Sequence, residues 1–247
     1  MKKYHLSLLL IGFAFASSAL AQSLFVPARI SNEVAVIDPL TNQVVTQIPV
    51  GSYPIRLAMT PNRLKAFVSN GRDGTISVLD TVARTNIATI PVNKSPGESA
   101  ITPDGRRLFV VHQVSLQGDH NHCPVDVIDT ATNLVITTVL IPGHWAKDIL
   151  FTPDGRSAYI ANLSNGEVDV IDTATYQVTS IPTGAGSRRL CISPAGDRVY
   201  VTNFKVNSVS AIDTATQQVI ATIPVGRRPL GNGRDQDRKS TRLNSSH

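Results

Sequence analysis

The chain has 247 residues, with 23 Lys+Arg against 18 Asp+Glu, a net charge of +5, 42% hydrophobic residues and two cysteines. The hydrophobic share excludes a disordered chain, and the scarcity of cysteine excludes a disulfide-built scaffold. The positive charge is no nucleic-acid signature, because Lys2, Lys3, Asp237, Arg238, Lys239 and Arg242 at the two ends supply four of the five net charges.

Met1 to Ala21 comes first. Lys2 and Lys3 precede the apolar run LSLLLIGFAFA, and Ala19-Leu20-Ala21 is a small-x-small cleavage site. This is the pattern of a secretory signal peptide, and the run is short for a membrane span. A protein exported to the periplasm or secreted, cut near Ala21 and without a membrane span in its mature part, is expected.

From Leu24 onward one unit recurs. Five segments end alike: VAVIDPLTN, ISVLDTVART, VDVIDTATN, VDVIDTATY and VSAIDTATQ. Their aspartates, Asp38, Asp80, Asp129, Asp172 and Asp213, are spaced by 42, 49, 43 and 41 residues. LFVPA, AFVSN, LFVVH, AYIAN and VYVTN precede them, and runs such as VVTQIPVG and VIATIPVG follow. LAMTPNRL, SAITPDGRR, ILFTPDGRS and LCISPAGDR open the later units. Each unit thus holds four short Val/Ile/Thr/Tyr-rich runs between Pro, Gly, Asp and Asn turns, which predicts four strands. Four strands in some forty residues is the pattern of a β-propeller blade. The spacing predicts an all-β propeller of four-stranded antiparallel blades over 22–236, four complete and one partial at each end. The Asp-Thr of IDTAT is expected to cap a turn, as is TPDG, and the asparagines ending AFVSN, AYIAN and VYVTN are expected in turns as well.

The last segment, DRKSTRLNSSH at 237–247, matches nothing before it and resembles a translated sequencing adapter. It is set apart as a non-native tail, with the natural protein expected to be truncated soon after Arg228-Pro229.

VYVTN, IDTAT and TIPVG together make the repeats resemble YVTN-type β-propeller proteins, the YncE-like exported group, over nearly all of Leu24–Gly231. The resemblance implies a ring of about seven blades, of which this chain supplies fewer.

The repeat breaks in one place. From the end of the second strand to the turn aspartate is 10 residues in four units and 17 in the third, where His112 replaces Asn and the stretch HQVSLQGDHNHCPV has gained seven residues. Alternating strand direction puts this loop on the same end as the linkers between units. The inner strands carry Arg56, Glu98, Asp148 and Arg189 at aligned positions near their starts, and His144 and Trp145 lie in a linker. His112, His120, His122, His144, Glu98, Asp148 and Cys123 are therefore candidate ligands for a transition metal, copper or zinc, since imidazole and carboxylate suit such ions. Arg56, Lys147, Arg188, Arg189 and Trp145 form a candidate ligand rim. Cys191 aligns with Ala58, Ala100 and Leu150 and is expected to be a buried small residue, with a Cys123–Cys191 disulfide left open.

A non-catalytic binding or scaffold protein, recognising a partner at the channel mouth, is the expected function. A small anionic ligand, a protein and a nucleic acid all fit as partners. A periplasmic metalloenzyme or redox protein using the His-rich loop, and a nucleic-acid or anionic-ligand binding propeller, stand as alternatives. No haem-attachment C-x-x-C-H, nucleophile elbow or Ser-His-Asp spacing argues for an enzyme.

Overall fold

The computed structural model describes residues 23–93, 95–113, 121–234 and 241–244. The expected signal peptide, Lys94, His120 with most of the inserted loop, and part of the tail lie outside them. The described residues form strands and turns only, in consecutive antiparallel sheets.

The first sheet has three strands, β1 (Leu24–Ala28), β2 (Glu33–Asp38) and β3 (Gln43–Pro49). Four sheets of four strands follow. The second holds β4 (Pro54–Met59), β5 (Lys65–Asn70), β6 (Thr75–Asp80) and β7 (Thr85–Pro91). The third holds β8 (Pro96–Ile101), β9 (Arg107–His112), β10 (His122–Asp129) and β11 (Leu134–Pro142). The fourth holds β12 (Ala146–Phe151), β13 (Ser157–Asn162), β14 (Glu167–Asp172) and β15 (Val178–Pro182). The fifth holds β16 (Ser187–Ile192), β17 (Arg198–Asn203), β18 (Ser208–Asp213) and β19 (Gln218–Pro224). Strands β20 (Gly231–Arg234) and β21 (Thr241–Asn244) pair beyond them, the latter inside the segment set apart as a tail.

Strands pair in chain order within each sheet, and among the described residues none pairs with a strand of another sheet. The sheets meet face to face instead. Val34, Val36 and Ile48 of the first pack on Ala66, Val68 and Leu79 of the second. Phe67, Ile76, Val78 and Ile90 meet Leu108, Val110 and Ile128. Phe109, Val125, Val127 and Ile141 meet Ile149, Ala158, Ile160 and Ile171. Tyr159, Val168 and Val170 meet Leu190, Val199, Val201 and Ile212. A middle strand covered on both faces has no solvent side, so β5, β9 and β13 are buried nearly end to end rather than in alternation. The fourth strands keep exposed positions, as at β7 and β11. The first strands β4, β8, β12 and β16 lie side by side in that order. This is the layout of propeller-like blades, with four sheets of four strands and, among the described residues, three strands in the first.

Candidate functional site

The two ends of the stack are built differently. At one end the turn joining the first two strands bonds to the turn joining the last two. Thr130 N–H donates to Arg106 O at 3.0 Å, Thr173 N–H to Arg156 O at 2.9 Å, and Thr214 N–H to Asp197 O at 3.0 Å. The repeated aspartates cap these turns, as expected. Asp129, Asp172 and Asp213 each accept the N–H groups two and three residues on and a threonine hydroxyl, at 2.7 to 3.1 Å. These backbone bonds, joined by the threonine hydroxyls, hold all three carboxyls below their ordinary range. In the TPDG turns and the equivalent Ser193-Pro-Ala-Gly196 turn the glycine is structural. Gly196 has φ +77°, and a Cβ there would lie 2.6 Å from the Pro153 ring of the preceding sheet.

At the opposite end the loops between second and third strands bond to the inter-sheet linkers. Gly71 N–H donates to Tyr53 O, Gln113 N–H to Ser95 O, Leu163 N–H to Trp145 O and Phe204 N–H to Gly186 O, at 2.9 to 3.3 Å. The inserted loop therefore starts on the linker end, where strand alternation put it. Each linker has a left-handed residue at one equivalent position, namely Tyr53, Ser95, Trp145, Gly186 and Arg228, with φ between +52° and +84°. The inner strand then bulges at its second or third position in four successive sheets, between Pro54 and Arg56, Pro96 and Ser99, Ala146 and Asp148, and Ser187 and Leu190. A bulge re-aims the side chains it carries.

That shared bulge brings Arg56, Glu98, Asp148 and Arg189 together. Arg56 Nε donates to Glu98 Oε2. Arg189 Nη1 lies 3.6 Å from Glu98 Oε1 and 3.8 Å from Asp148 Oδ1, and donates to Lys147 O at 3.0 Å. Asp148 Oδ2 accepts Leu190 N–H at 3.0 Å, so four sheets are linked. The hydrogen bond to Glu98 holds the Arg56 guanidinium above its ordinary value. Burial pushes Asp148 up. Burial also pushes Lys147 down, and the neighbouring Arg188 and Arg189 add to it against the pull of Glu98.

Of the expected metal ligands, His120 lies outside the described residues. Among the described residues no three of His, Cys, Asp and Glu group as a metal site. Glu98 and Asp148 sit in the arginine network. His144 lies in a linker, its ring edge-on to the exposed Trp145 at 5.4 Å, and its N–H donates to Ser164 Oγ. His122 opens strand β10 rather than lying in a loop. Cys123 is fully buried between the third and fourth sheets, its thiol 2.8 Å from His112 O. Burial pushes that thiol up to about 12, so it stays protonated. Cys123 and Cys191 do not form a disulfide.

The asparagines ending the second strands are not turn residues. Asn70, Asn162 and Asn203 are fully buried. Their Nδ2 groups reach the third strand, to Ser77 Oγ at 2.9 Å, Asp169 Oδ2 at 3.3 Å and Ser210 Oγ at 2.9 Å. The last two also reach the preceding linker, at Pro142 O and Thr183 O. His112 holds the same place in the third sheet, with Nε2 3.0 Å from Asp126 Oδ2 and both side chains buried. Burial pushes Asp126 up, but bonds from His112, Thr138 and Asn93 outweigh it and hold the carboxyl at about 2. Asp169 has no cationic partner among the described residues, and burial raises it to about 6 against the bonds from Ser180 and Asn162. The seven-residue insertion thus separates a buried pair that is otherwise seven residues apart, and lengthens β10 and β11 by the pairs His122–Pro142 and Cys123–Ile141.

One cluster has no signal in the sequence. Arg188 and Arg228 lie over Phe204, with guanidinium carbons 5.3 and 5.7 Å from the ring centre. Tyr53 is covered likewise by Arg72 at 4.5 Å and Arg29 at 5.3 Å. Phe204 aligns with Arg29 and Arg228 with Tyr53, so ring and cation have exchanged places between two versions of one backbone.

No family model matches the chain, and no curated protein matches it. Among solved structures, a functionally unknown protein from Desulfotomaculum acetoxidans DSM 771 is similar, at 18% identity and a TM-score of 0.75, over 86% of this chain and 69% of that one. Kuenenia stuttgartiensis hydrazine synthase aligns at 19% identity and a TM-score of 0.49, over 85% of each chain, a likeness too weak to argue from. The first likeness shows the fold alone, an all-β architecture of repeated sheets.

Proposed function

We propose that the sheets are blades of an exported β-propeller of the YVTN-repeat type, and that the protein works by binding an anionic ligand on its linker end. One observation carries this. At the linker end the backbone repeats while the side chains on it do not. The left-handed position holds Tyr53, Ser95, Trp145, Gly186 and Arg228 in turn. The next variable positions hold Ile55, Gly97, Lys147 and Arg188, then Arg56, Glu98, Asp148 and Arg189. Bulky side chains in a left-handed backbone cost of the order of 1 kcal/mol each, and such strain gathers at functional surfaces. At the opposite end the repeated carboxylates are consumed as turn caps. A constant frame presenting variable side chains is how repeat proteins make recognition surfaces. The sign of the charge follows from Lys147, which has Arg188 and Arg189 of the next sheet near it.

The test is a thermal-shift screen against small organic anions at fixed ionic strength, since a ligand that binds only the folded state raises Tm. A hit should lose its shift when Lys147 and Arg188 both become alanine, and keep it when Arg106 and Arg156 at the opposite end do. A screen without hits, or a hit that depends on Arg106 and Arg156, overturns the proposal.

A further inference from the structure

We propose that Asn165 is a site of spontaneous deamidation, converting to aspartate and isoaspartate through a succinimide formed with Gly166. The reaction needs only water and groups of the chain itself. The Gly166 amide nitrogen gives up its proton to hydroxide and attacks Asn165 Cγ. A C–N bond forms there, the bond from Cγ to Nδ2 breaks, and ammonia leaves. Water then opens the ring at either carbonyl, giving an aspartyl residue or, with the main chain routed through the side chain, an isoaspartyl one. Nothing is oxidised or reduced. Glycine suits the second position, since it has no Cβ to obstruct the approach.

The chain carries its own comparison. Ser-Asn-Gly occurs at Ser69–Gly71, where β5 ends, and at Ser164–Gly166, between β13 and β14. The local sequence is the same, so the fold decides between the two. Asn70 is fully buried. Its Nδ2 donates to Thr75 Oγ1 at 3.0 Å and to Ser77 Oγ at 2.9 Å. The nitrogen that would attack is occupied too, because Gly71 N–H donates to Tyr53 O at 2.9 Å.

Asn165 is exposed. Its Oδ1 accepts Glu167 N–H, two residues on, at 3.3 Å, which folds the side chain back over the Gly166 peptide. This turn brings Cγ toward the nitrogen that attacks it. Glu167 Oε2 accepts from Nδ2 at 2.6 Å, on the amide nitrogen that leaves. The ties from Gly166 to the neighbouring linker run through its carbonyl, which accepts Thr183 N–H and Gly184 N–H at 3.1 and 3.0 Å.

The product alters the linker end. A carboxylate replaces the amide that donates to Glu167, so two like charges meet where a hydrogen bond stood. An isoaspartyl residue also adds a methylene to the main chain between Ser164, whose Oγ accepts His144 N–H at 2.9 Å, and Glu167, which opens β14.

Incubation of the folded full chain at pH 8, followed by tryptic digestion and mass spectrometry, tests this. The peptide Ser157–Arg188 holds Asn165, and Ala66–Arg72 holds Asn70. Asn165 should convert at least about tenfold faster than Asn70, which reacts only when its sheet opens. In guanidinium chloride, with the fold removed, the two should convert at similar rates. Fragmentation should place the change at residue 165 with isoaspartate present, and Asn165→Gln should abolish it in that peptide. Equal rates at the two sites in the folded chain, or no conversion at Asn165 over a time in which the denatured chain reacts, overturns the proposal. A product that is aspartate alone overturns the succinimide route.

Discussion

Asp169 offers the sharpest test of how the sheets are held together. It is fully buried, and its carboxyl is raised from 3.8 to about 6 by burial. A group raised in this way takes up its proton in the folded state before the unfolded state does. Stability therefore increases as pH falls from about 6 toward 3.8, and the full penalty is present above pH 6. That difference corresponds to about 3 kcal/mol. The neighbouring sheets supply the remedy, because Ser77 and Ser210 occupy the equivalent position and accept the same asparagine bond. Asp169→Ser removes the buried charge at the loss of the Ser180 hydrogen bond, about 1 kcal/mol. A net gain of about 1–2 kcal/mol at pH 8 follows, or a Tm rise of about 2–8 °C for a chain of this size. Thermal unfolding followed by circular dichroism at pH 8 and pH 4.5 is the assay. The gain should vanish at pH 4.5, where the wild-type carboxyl is protonated. A difference between variant and wild type that is the same at both pH values, or a variant less stable at pH 8, would refute the reasoning.

The same substitution one sheet earlier should have the opposite sign. Asp126→Ser leaves His112 buried without its carboxylate and should cost about 3–5 kcal/mol, while His112→Asn in the same chain restores an Asn–Ser pair and recovers part of the loss, measured by denaturant unfolding. Because Asp126 is held at about 2, its contribution should disappear as pH falls from 3.8 through 2. Gly196→Ala forces a Cβ to within 2.6 Å of the Pro153 ring at φ +77° and should cost about 2–3 kcal/mol in the same measurement. Glu98→Gln leaves Arg56 and Arg189 without their shared carboxylate, with a loss of about 1–3 kcal/mol that shrinks as salt is added.

Much of the architecture is legible in the sequence because its signals are local. Asp, Thr, Pro and Gly at fixed offsets can be read as caps, and the capping bonds of Asp129, Asp172 and Asp213 follow that reading. The meeting of Arg56, Glu98, Asp148 and Arg189 is legible too, since equal positions in equal units must face one axis. Side chains whose role depends on depth are not. Asn70, Asn162 and Asn203 look like turn residues because asparagine favours turns, yet each lies just inside the strand end, where its amide crosses to a buried partner. Cys123 and His122 sit in a polar stretch of sequence, but the insertion lengthens β10 through them, so Cys123 turns into the core. The cluster around Phe204 depends on left-handed residues in two different loops, and no residue type announces that conformation in an arginine.

The central claim is that a repeated backbone gathers its variable, charged side chains on the linker end for binding. A crystal structure of the full chain grown with an anion that raises Tm in the thermal-shift screen tests this most directly. The anion should lie against Lys147 and Arg188 on the linker end; an anion seated among the aspartate-capped turns at the opposite end would contradict the claim.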